Sequence, residues 1–336
     1  MAPLPEPRGP ASEAILSALL SEPHPLDAVP ALVPADPLAD DDLHLALYLC
    51  YELHDRGLPG VSDAWEWEPS LVGFRRELER RFEGGLIDVV DTSSAPSRPE
   101  EVAAALVELS RDDGGPSLSR YLAREASLER FREFVIHRSA YHLKEADPHS
   151  HGIPRISGAP KVALVEVQFD EYGSGDPERM HAALFAKTMR ALGLSDEPGA
   201  YLDAIPGSTL ATVNLISLFG LHRRWRGALA GHLALFELTS SIPNRFYGNG
   251  LRRLGFGPEA TDFFDEHVEA DAVHDMIATY DYAAAVVGGA PGLATDVLFG
   301  ARTLKELDVR ASSHLLASWQ QGRSSLRPTG RPVAVA

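Results

Sequence analysis

Apolar residues recur at intervals of three and four along most of the chain, which is the pattern of amphipathic helices. Residues 159–173 (APKVALVEVQFDEYG) contain β-branched residues typical of a strand, but their length and helical neighbours favour a helix. No segment alternates convincingly between apolar and polar positions as a half-buried strand does. The clearest helical segments are 127–147, 159–173, 177–193, 209–225, 226–241, 261–289 and 294–319. The pattern therefore predicts an all-α bundle.

The first hundred residues predict a smaller helical region. Residues 22–39 contain five prolines and cannot form a long helix. One helix is expected to begin at the aspartates at 40–42, because acidic residues favour a helix N-terminus. A second helix is expected from Ser70 to the Gly-Gly pair at 84–85. A linker is expected at 91–99 (DTSSAPSRP), followed by a helix capped by Ser97.

These patterns divide the chain into three parts. We expect a helical extension over 1–95, with 1–11 disordered, a helical domain over 96–320 and a flexible tail over 321–336.

Charge and composition limit the kinds of molecule that the protein is expected to bind and the cellular compartment in which it is expected. The 336 residues carry a formal net charge of −17, so the chain repels nucleic-acid phosphates and anionic membrane surfaces. A single cysteine, Cys50, rules out an internal disulfide. The start, MAPLPEPRGP, lacks a signal-peptide layout, and no apolar run reaches 18 residues. We expect a cytoplasmic protein without nucleic-acid or membrane partners.

The sequence HVEADAVH contains the best candidate for metal chemistry. His267, Asp271 and His274 lie within roughly 60° of one another on a helix, because each residue turns the helix by about 100°. Two imidazoles and a carboxylate on one face are typical ligands of Fe(II), Mn or Zn. The alternative is a solvated helix face with two structural histidines.

Carboxylates within apolar helices supply further candidate ligands. Glu237 stands in the apolar segment GHLALFELTSS, and a buried carboxylate is costly unless it is paired or bound to a metal. Two divalent metals need about six to eight donors, including bridging carboxylates. The sequence offers a suitable set from separate segments: Glu145, Glu171, His181, Glu237, His267, Asp271 and His274.

Two ligand patterns compete within this set. Glu178-x-x-His181 and Asp271-x-x-His274 imitate the motifs of ferritin-like di-iron bundles. In that pattern Glu178 is a ligand and His267 is not. The glycines and the proline at 173–177 also exclude one regular helix running from Glu171 to His181.

The second pattern comes from a family resemblance. The order of the candidate ligands, with the segments HRSAYHLKEADPHSHGIPR, DEYGSGDPERMHAALF, NLISLFGLHRRWRGALAGH and DEHVEADAVH, resembles the haem-oxygenase-like di-iron oxidases, in particular the "iron-containing redox enzyme" family. The resemblance extends over about 125–320 and implies a haem-oxygenase-like bundle. It implies two Fe(II) ions as cofactor and O2 as co-substrate. It assigns both metal binding and catalysis to Glu145, Glu171, His181, Glu237, His267, Asp271 and His274, and omits Glu178.

The resemblance implies a non-haem di-iron oxidase or oxygenase acting on a small organic substrate by N-oxygenation, desaturation or C–C cleavage. Glu237 is expected to be the flexible or bridging carboxylate. An external electron donor is required, because the sequence has no flavin or nicotinamide motif. Homodimerisation through residues 1–95 is a further hypothesis. The alternatives are a metal-free enzyme of the same fold and a non-catalytic acidic interaction protein.

Overall fold

Helices account for all regular structure in the part of the chain that the structure describes. The computed structural model describes residues 3–30, 35–91, 96–111 and 117–329, and for residues 270–273 it describes the backbone alone. Within these ranges the predicted all-α fold is confirmed. The helices are α1 (Pro10–Leu19), α2 (Asp41–Glu52), α3 (Pro69–Val89), α4 (Pro99–Arg111), α5 (Leu118–Arg124), α6 (Leu128–His142), α7 (Asp147–Ser150), α8 (Ala159–Glu171), α9 (His181–Ala191), α10 (Gly207–Leu221), α11 (Arg226–Arg253), α12 (Pro258–Met276), α13 (Ala285–Gly289) and α14 (Ala294–Gln320).

The N-terminal helices pack directly on the bundle. Helix α2 begins where the aspartates predicted it: the Asp40 side chain accepts a hydrogen bond from the backbone N–H of Leu43 at 2.7 Å. Almost all residues of α2 are buried, because this helix packs against both α10 and α3. Helix α3 runs past the predicted stop at Gly84 and Gly85, and Gly85 lies against Leu38 and Pro37. The second glycine therefore permits a close packing contact and does not end the helix.

Both chain ends lie against the body over the residues described. The backbone N–H of Glu6 donates to Asp203 at 2.7 Å, and α1 already begins at Pro10. In the predicted tail, Arg327 Nε donates to Asp41 at 2.7 Å. These contacts differ from the disorder expected over 1–11 and the flexible tail expected over 321–336. Residues 1–2 and 330–336 lie outside the described part.

The centre of the bundle consists of α10, buried over most of its length, and the crossing of α11 with α14. The crossing is close because Gly231 faces the backbone of α14. A methyl group on Gly231 would lie 1.7 Å from the carbonyl oxygen of Val297. Only glycine fits this contact.

Helix α11 continues beyond its predicted end at residue 241 and passes through Pro243 to Arg253. A proline has no N–H, so one hydrogen bond to the carbonyl of Thr239 is lost. Packing against α12, α14 and α5 maintains the helix across this position. The result is one long helix that carries Glu237 in its first half.

A π-helical segment, Ile277–Ala284, separates α12 from α13. It begins three residues after His274. Segments of this kind are frequent at functional sites, because the wider turn redirects the side chains around it.

No single helix in the described ranges has the length and apolar character needed to cross a membrane. One pair, His274–Gly289 and Pro291–Gln320, meets the criteria of length and composition together but is bent by 119°.

Candidate metal centre

Six of the seven predicted ligands form two buried groups in the middle of the bundle. We call Glu145, His181 and His267 site A, and Glu171, Glu237 and His274 site B. In each site, one donor atom from every residue lies within 4.8 Å of the others. The seventh, Asp271, has its backbone in α12, but its side chain lies outside the described part of the structure.

In site A, the histidine ring of α12 is fixed by its own helix. His267 Nδ1 donates to the carbonyl oxygen of Phe263 at 2.7 Å, which directs the Nε2 lone pair towards Glu145. The distance from Nε2 to Glu145 Oε1 is 3.7 Å. The rings of His181 and His267 lie 4.3 Å apart between centroids. Both imidazoles therefore face the same small volume.

In site B, Asp170 orients the histidine. His274 Nε2 donates to Asp170 Oδ2 at 3.1 Å. Its Nδ1 lies 3.9 Å from both Glu171 Oε1 and Glu237 Oε2. A carboxylate that holds the distal N–H of a ligand histidine is a common arrangement in metal sites.

Glu171 lies between the two sites. Its Oε2 is 2.9 Å from His181 Nδ1 in site A, and its Oε1 is 3.9 Å from His274 Nδ1 in site B. Glu237 had been expected as the bridging carboxylate. Glu171 has contacts in both sites, whereas Glu237 lies near His274 in site B.

Local backbone geometry brings Glu145 into the site. It lies in the turn between α6 and α7, and the next residue, Ala146, has a φ of 76°. This left-handed conformation is unfavourable for alanine and requires support from its surroundings. Gln168 of α8 supplies part of it by donating to the Ala146 carbonyl at 2.8 Å.

A glycine turn brings Glu171 and His181 together. Glu171 ends α8 and His181 begins α9, so the predicted break between them is present. Gly173 has a φ of 79°, and a methyl group there would lie 2.6 Å from the backbone nitrogen of Met180. The chain can double back at this point because residue 173 is glycine.

Histidines and carboxylates shift each other's protonation in the site. Burial opposes ionisation of Glu145, but His142 and His267 hold the pKa of Glu145 below its ordinary value. Burial also disfavours the charged form of His181, yet the Glu171 carboxylate raises the pKa of His181 overall. Site A therefore favours a carboxylate beside imidazoles.

The donor atoms fit a bound metal. Glu145 Oε2 and His274 Nδ1 are buried without a hydrogen-bond partner in the structure. Buried polar atoms without partners cost about 1–3 kcal/mol each. A metal ion in each site would satisfy these atoms, and mixed carboxylate and imidazole donors are typical of non-haem iron.

Two residues that support the ligands were not among those predicted. His142 Nδ1 donates to Glu145 Oε1 at 2.9 Å. The interval of three residues between positions 142 and 145 is the signal for this contact in the sequence. Asp170 precedes Glu171 and resembles a surface acid in the sequence, so only the fold reveals its contact with His274.

The ferritin-like alternative is not supported by the placement of its residues. Glu178 is exposed in a short 3₁₀ turn before α9. His267, which that pattern leaves out, is buried in site A. The geometry brings together six of the seven residues that the family resemblance implied, and their role as ligands stays a prediction.

A cavity of about 320 Å³ adjoins site A, and His142 and His267 form part of its wall.

The comparison with protein families then decides the class of the protein: a family model described as "Iron-containing redox enzyme" matches residues 132–309. The chain belongs to this family. Its matched region contains both sites.

A curated relative shows similarity over part of the chain. Nitrosourea synthase from Streptomyces achromogenes subsp. streptozoticus is 26% identical over 209 residues, which cover 61% of this chain. The match spans 44% of the length of that relative. The chain therefore spans less than half the length of this relative.

Proposed function

We propose that the protein is a non-haem di-iron, O2-dependent oxidase or oxygenase acting on a small organic substrate. The observation that supports this most directly is the pair of buried sites next to each other, with Glu171 between them. Each site offers nitrogen and oxygen donors, and one iron would occupy each.

The proposed ligands of the first iron are Glu145, His181 and His267, and those of the second are Glu237 and His274. Glu171, which has an oxygen near each site, would be shared between them. Asp271 is proposed as the seventh ligand, because it lies between His267 and His274 on one face of α12. Four carboxylates would then balance the charge of two ferrous ions.

Bound iron would supply the reductive activation of O2, with electrons from an external donor. The chain's own residues hold this site in shape. His142 fixes the Glu145 carboxylate, and Asp170 keeps the Nε2 proton of His274 away from site B. Phe185 and Phe263 pack against the His142 ring and limit the access of water.

Oxidation at a nitrogen atom is the first reaction to test. The relative named nitrosourea synthase supports this choice, although the match covers only part of that protein. Desaturation and C–C cleavage are the next candidates. The adjoining cavity places a substrate beside site A.

The decisive experiment is anaerobic Fe(II) titration of the metal-free protein, followed by rapid mixing with O2. We expect about two irons per chain and a transient visible absorption. His267→Gln and His274→Gln should each lower iron uptake by about one ion and abolish the transient, and Asp271→Asn should weaken uptake. His314→Gln is the matched control, because His314 is exposed and bonds to the carbonyl of Ser325 away from both sites.

Two results would overturn the proposal. If the protein takes up no iron, or if the site variants titrate like His314→Gln, the two buried sites do not bind iron. Substrate oxidation that survives complete chelation of iron would instead favour the metal-free alternative.

A further inference from the structure

The cavity beside site A has a wall of mixed character, in which Arg138 and Asp308 form a pair of opposite charges; Arg120, Lys305 and several serines also line it. Arg138 projects from α6 and Asp308 from α14, and both line the cavity. Aromatic and aliphatic side chains form much of the remaining surface: Phe134, Phe185, Leu235, Phe236, Phe264 and Leu304. Charges in such a wall are costly unless a ligand or a close partner compensates them.

Arg138 and Asp308 do not compensate each other fully. Arg138 Nη1 and Asp308 Oδ1 are 4.0 Å apart, which exceeds hydrogen-bond length. Their side chains are 28% and 41% exposed, although each is surrounded by protein and lines the cavity. A purely structural Arg–Asp pair would gain from closing to a bidentate contact. This pair instead keeps hydrogen-bonding capacity directed at the cavity.

The guanidinium is held in place by its neighbours. It lies over the ring of Phe134, 5.6 Å from the ring centroid, and Tyr247 is a hydrogen-bonding neighbour. The positions of both charges are therefore fixed before a ligand binds, which lowers the entropic cost of binding.

A third polar atom points to the same place. His232 is fully buried, and its Nε2 has no hydrogen-bond partner in the structure. His232 lines a small adjoining cavity of about 40 Å³ that also includes Arg138 and Asp308 in its wall. Arg138 and Asp308 thus line both cavities, and the neutral imidazole of His232 lines the smaller one.

We propose that this cavity binds an α-amino acid, with the substrate carboxylate on Arg138 and the substrate ammonium on Asp308. The two groups of an α-amino acid are attached to one carbon, so their binding partners must lie as close together as this pair does. The apolar walls would then direct the amino-acid side chain towards His142 and His267 at site A. This assignment of substrate class rests on the proposed function for the oxidation itself.

The test compares probes that differ by one charge. L-norleucine is compared with hexanoate, which lacks the ammonium, and with pentylamine, which lacks the carboxylate. L-lysine is compared in the same way with 6-aminohexanoate and 1,5-diaminopentane. Binding is measured anaerobically by calorimetry on the iron-loaded protein and again on the iron-free protein. We expect at least one amino acid to bind about tenfold or more tightly than both of its analogues.

Variants assign each charge to its partner. Arg138→Met should reduce the affinity for the amino acid to that of the amine and leave the amine unaffected. Asp308→Asn should reduce it to that of the carboxylic acid. Arg138→Lys, which keeps the charge but loses the planar fork, should fall between Arg138→Met and the parent. Glu306→Gln on α14, whose side chain pairs with Arg310 outside the cavity, should change nothing.

Some results would overturn the inference. One is that neither amino acid binds more tightly than its single-charge analogues. Another is that Arg138→Lys and Asp308→Asn weaken all probes equally, which indicates a structural role for the pair. Binding without turnover separates this inference from the proposed function. Selective amino-acid binding with no iron uptake would refute the oxidase proposal alone, whereas iron uptake without selective binding would refute this assignment alone.

Discussion

His267 and His274 of α12 each donate a hydrogen bond to the protein through one ring nitrogen. The other ring nitrogen of each is directed at its site. His267 donates through Nδ1 to its own helix, and His274 donates through Nε2 to Asp170. These contacts set opposite tautomers in two residues of the same helix. The nitrogen that remains in each ring faces the carboxylates of its site. Hydrogen bonds outside the ligand set thus decide which atom can bind a metal.

Replacing Asp170 tests this at site B. In Asp170→Asn the charged acceptor for His274 Nε2–H is lost, and we expect iron affinity at site B to fall by about 10–100-fold. Site A should be unaffected. Iron binding is measured in competition with a chelator. Glu166→Gln is the control, because Glu166 is an exposed acid of the same helix. Equal affinities in both variants would contradict the role of Asp170.

Helical spacing alone placed His267 and His274 on one face of α12, because these residues share one regular element. The partner of His274 could not be predicted in this way. Asp170 belongs to α8, and its side chain is 44% exposed, so its sequence context gives no sign of a role in the site. Its contact depends on how α8 packs against the segment that follows His274.

At the scale of elements, the N-terminal helices hold the turn that carries Glu145. Lys144 is buried, and its Nζ donates to Glu52 at 2.7 Å and to Asp55 at 3.0 Å. Arg56 donates to the carbonyl of Leu143 at 3.1 Å. The region predicted only as an accessory extension therefore fixes the two residues that precede Glu145.

Removing Lys144 should destabilise the protein strongly. Lys144→Met removes the buried cation shared by the carboxylates of Glu52 and Asp55, and only Glu52 keeps a second cation, Arg56. We therefore expect a loss of about 3–5 kcal/mol in the free energy of unfolding. Urea denaturation measures the change. Lys187→Met is the control: the Lys187–Asp262 pair is partly exposed, and its loss should cost at most about 1 kcal/mol. Similar losses in both variants would show that the buried charges are not coupled to the turn.

Sequence periodicity predicted the helices of the bundle, but local rules misplaced two helix ends. The glycine pair that includes Gly85 predicts a helix end, and Pro243 is not expected inside a helix, but helices pass through both positions. In both cases tertiary packing determines the outcome. Gly85 is packed against Leu38, and α11 is supported on several sides across Pro243. These contacts join residues far apart in sequence, which periodicity cannot detect.

For the molecule as a whole, buried neutral histidines couple folding to pH. Burial lowers the pKa of His44 to about 4 and that of His137 to about 3. Below pH 6.5 the unfolded chain therefore binds more protons at these positions than the folded protein does. Their contribution to stability is complete above pH 6.5 and decreases as the pH falls towards 4.

His137→Gln tests this coupling. Between pH 7.5 and pH 5.0 the parent should lose about 2 kcal/mol more stability than the variant, because His137 stays neutral when folded. Urea denaturation at both pH values, with chelator present throughout, measures the difference. His24→Gln, at an exposed position, should follow the parent. A variant with the same pH dependence as the parent would exclude His137 as a source of the effect.

The all-α class and the family were predicted from the sequence because they depend on repeated patterns and on motif order. How the first helices pack was not predicted, since nothing in residues 1–95 indicates that Lys144 is their partner. The homodimer and the cytoplasmic location stay predictions.

The two sites draw their residues from positions as far apart as Glu145 and His274. During synthesis, His274 is added only after most of the helical domain that follows Glu145 has been made. Neither site can be completed until α12 has docked against α9 and α11. The apoprotein must therefore reach a nearly native arrangement first, with its buried carboxylates still uncompensated. We therefore expect metal binding to follow most of the folding of the chain.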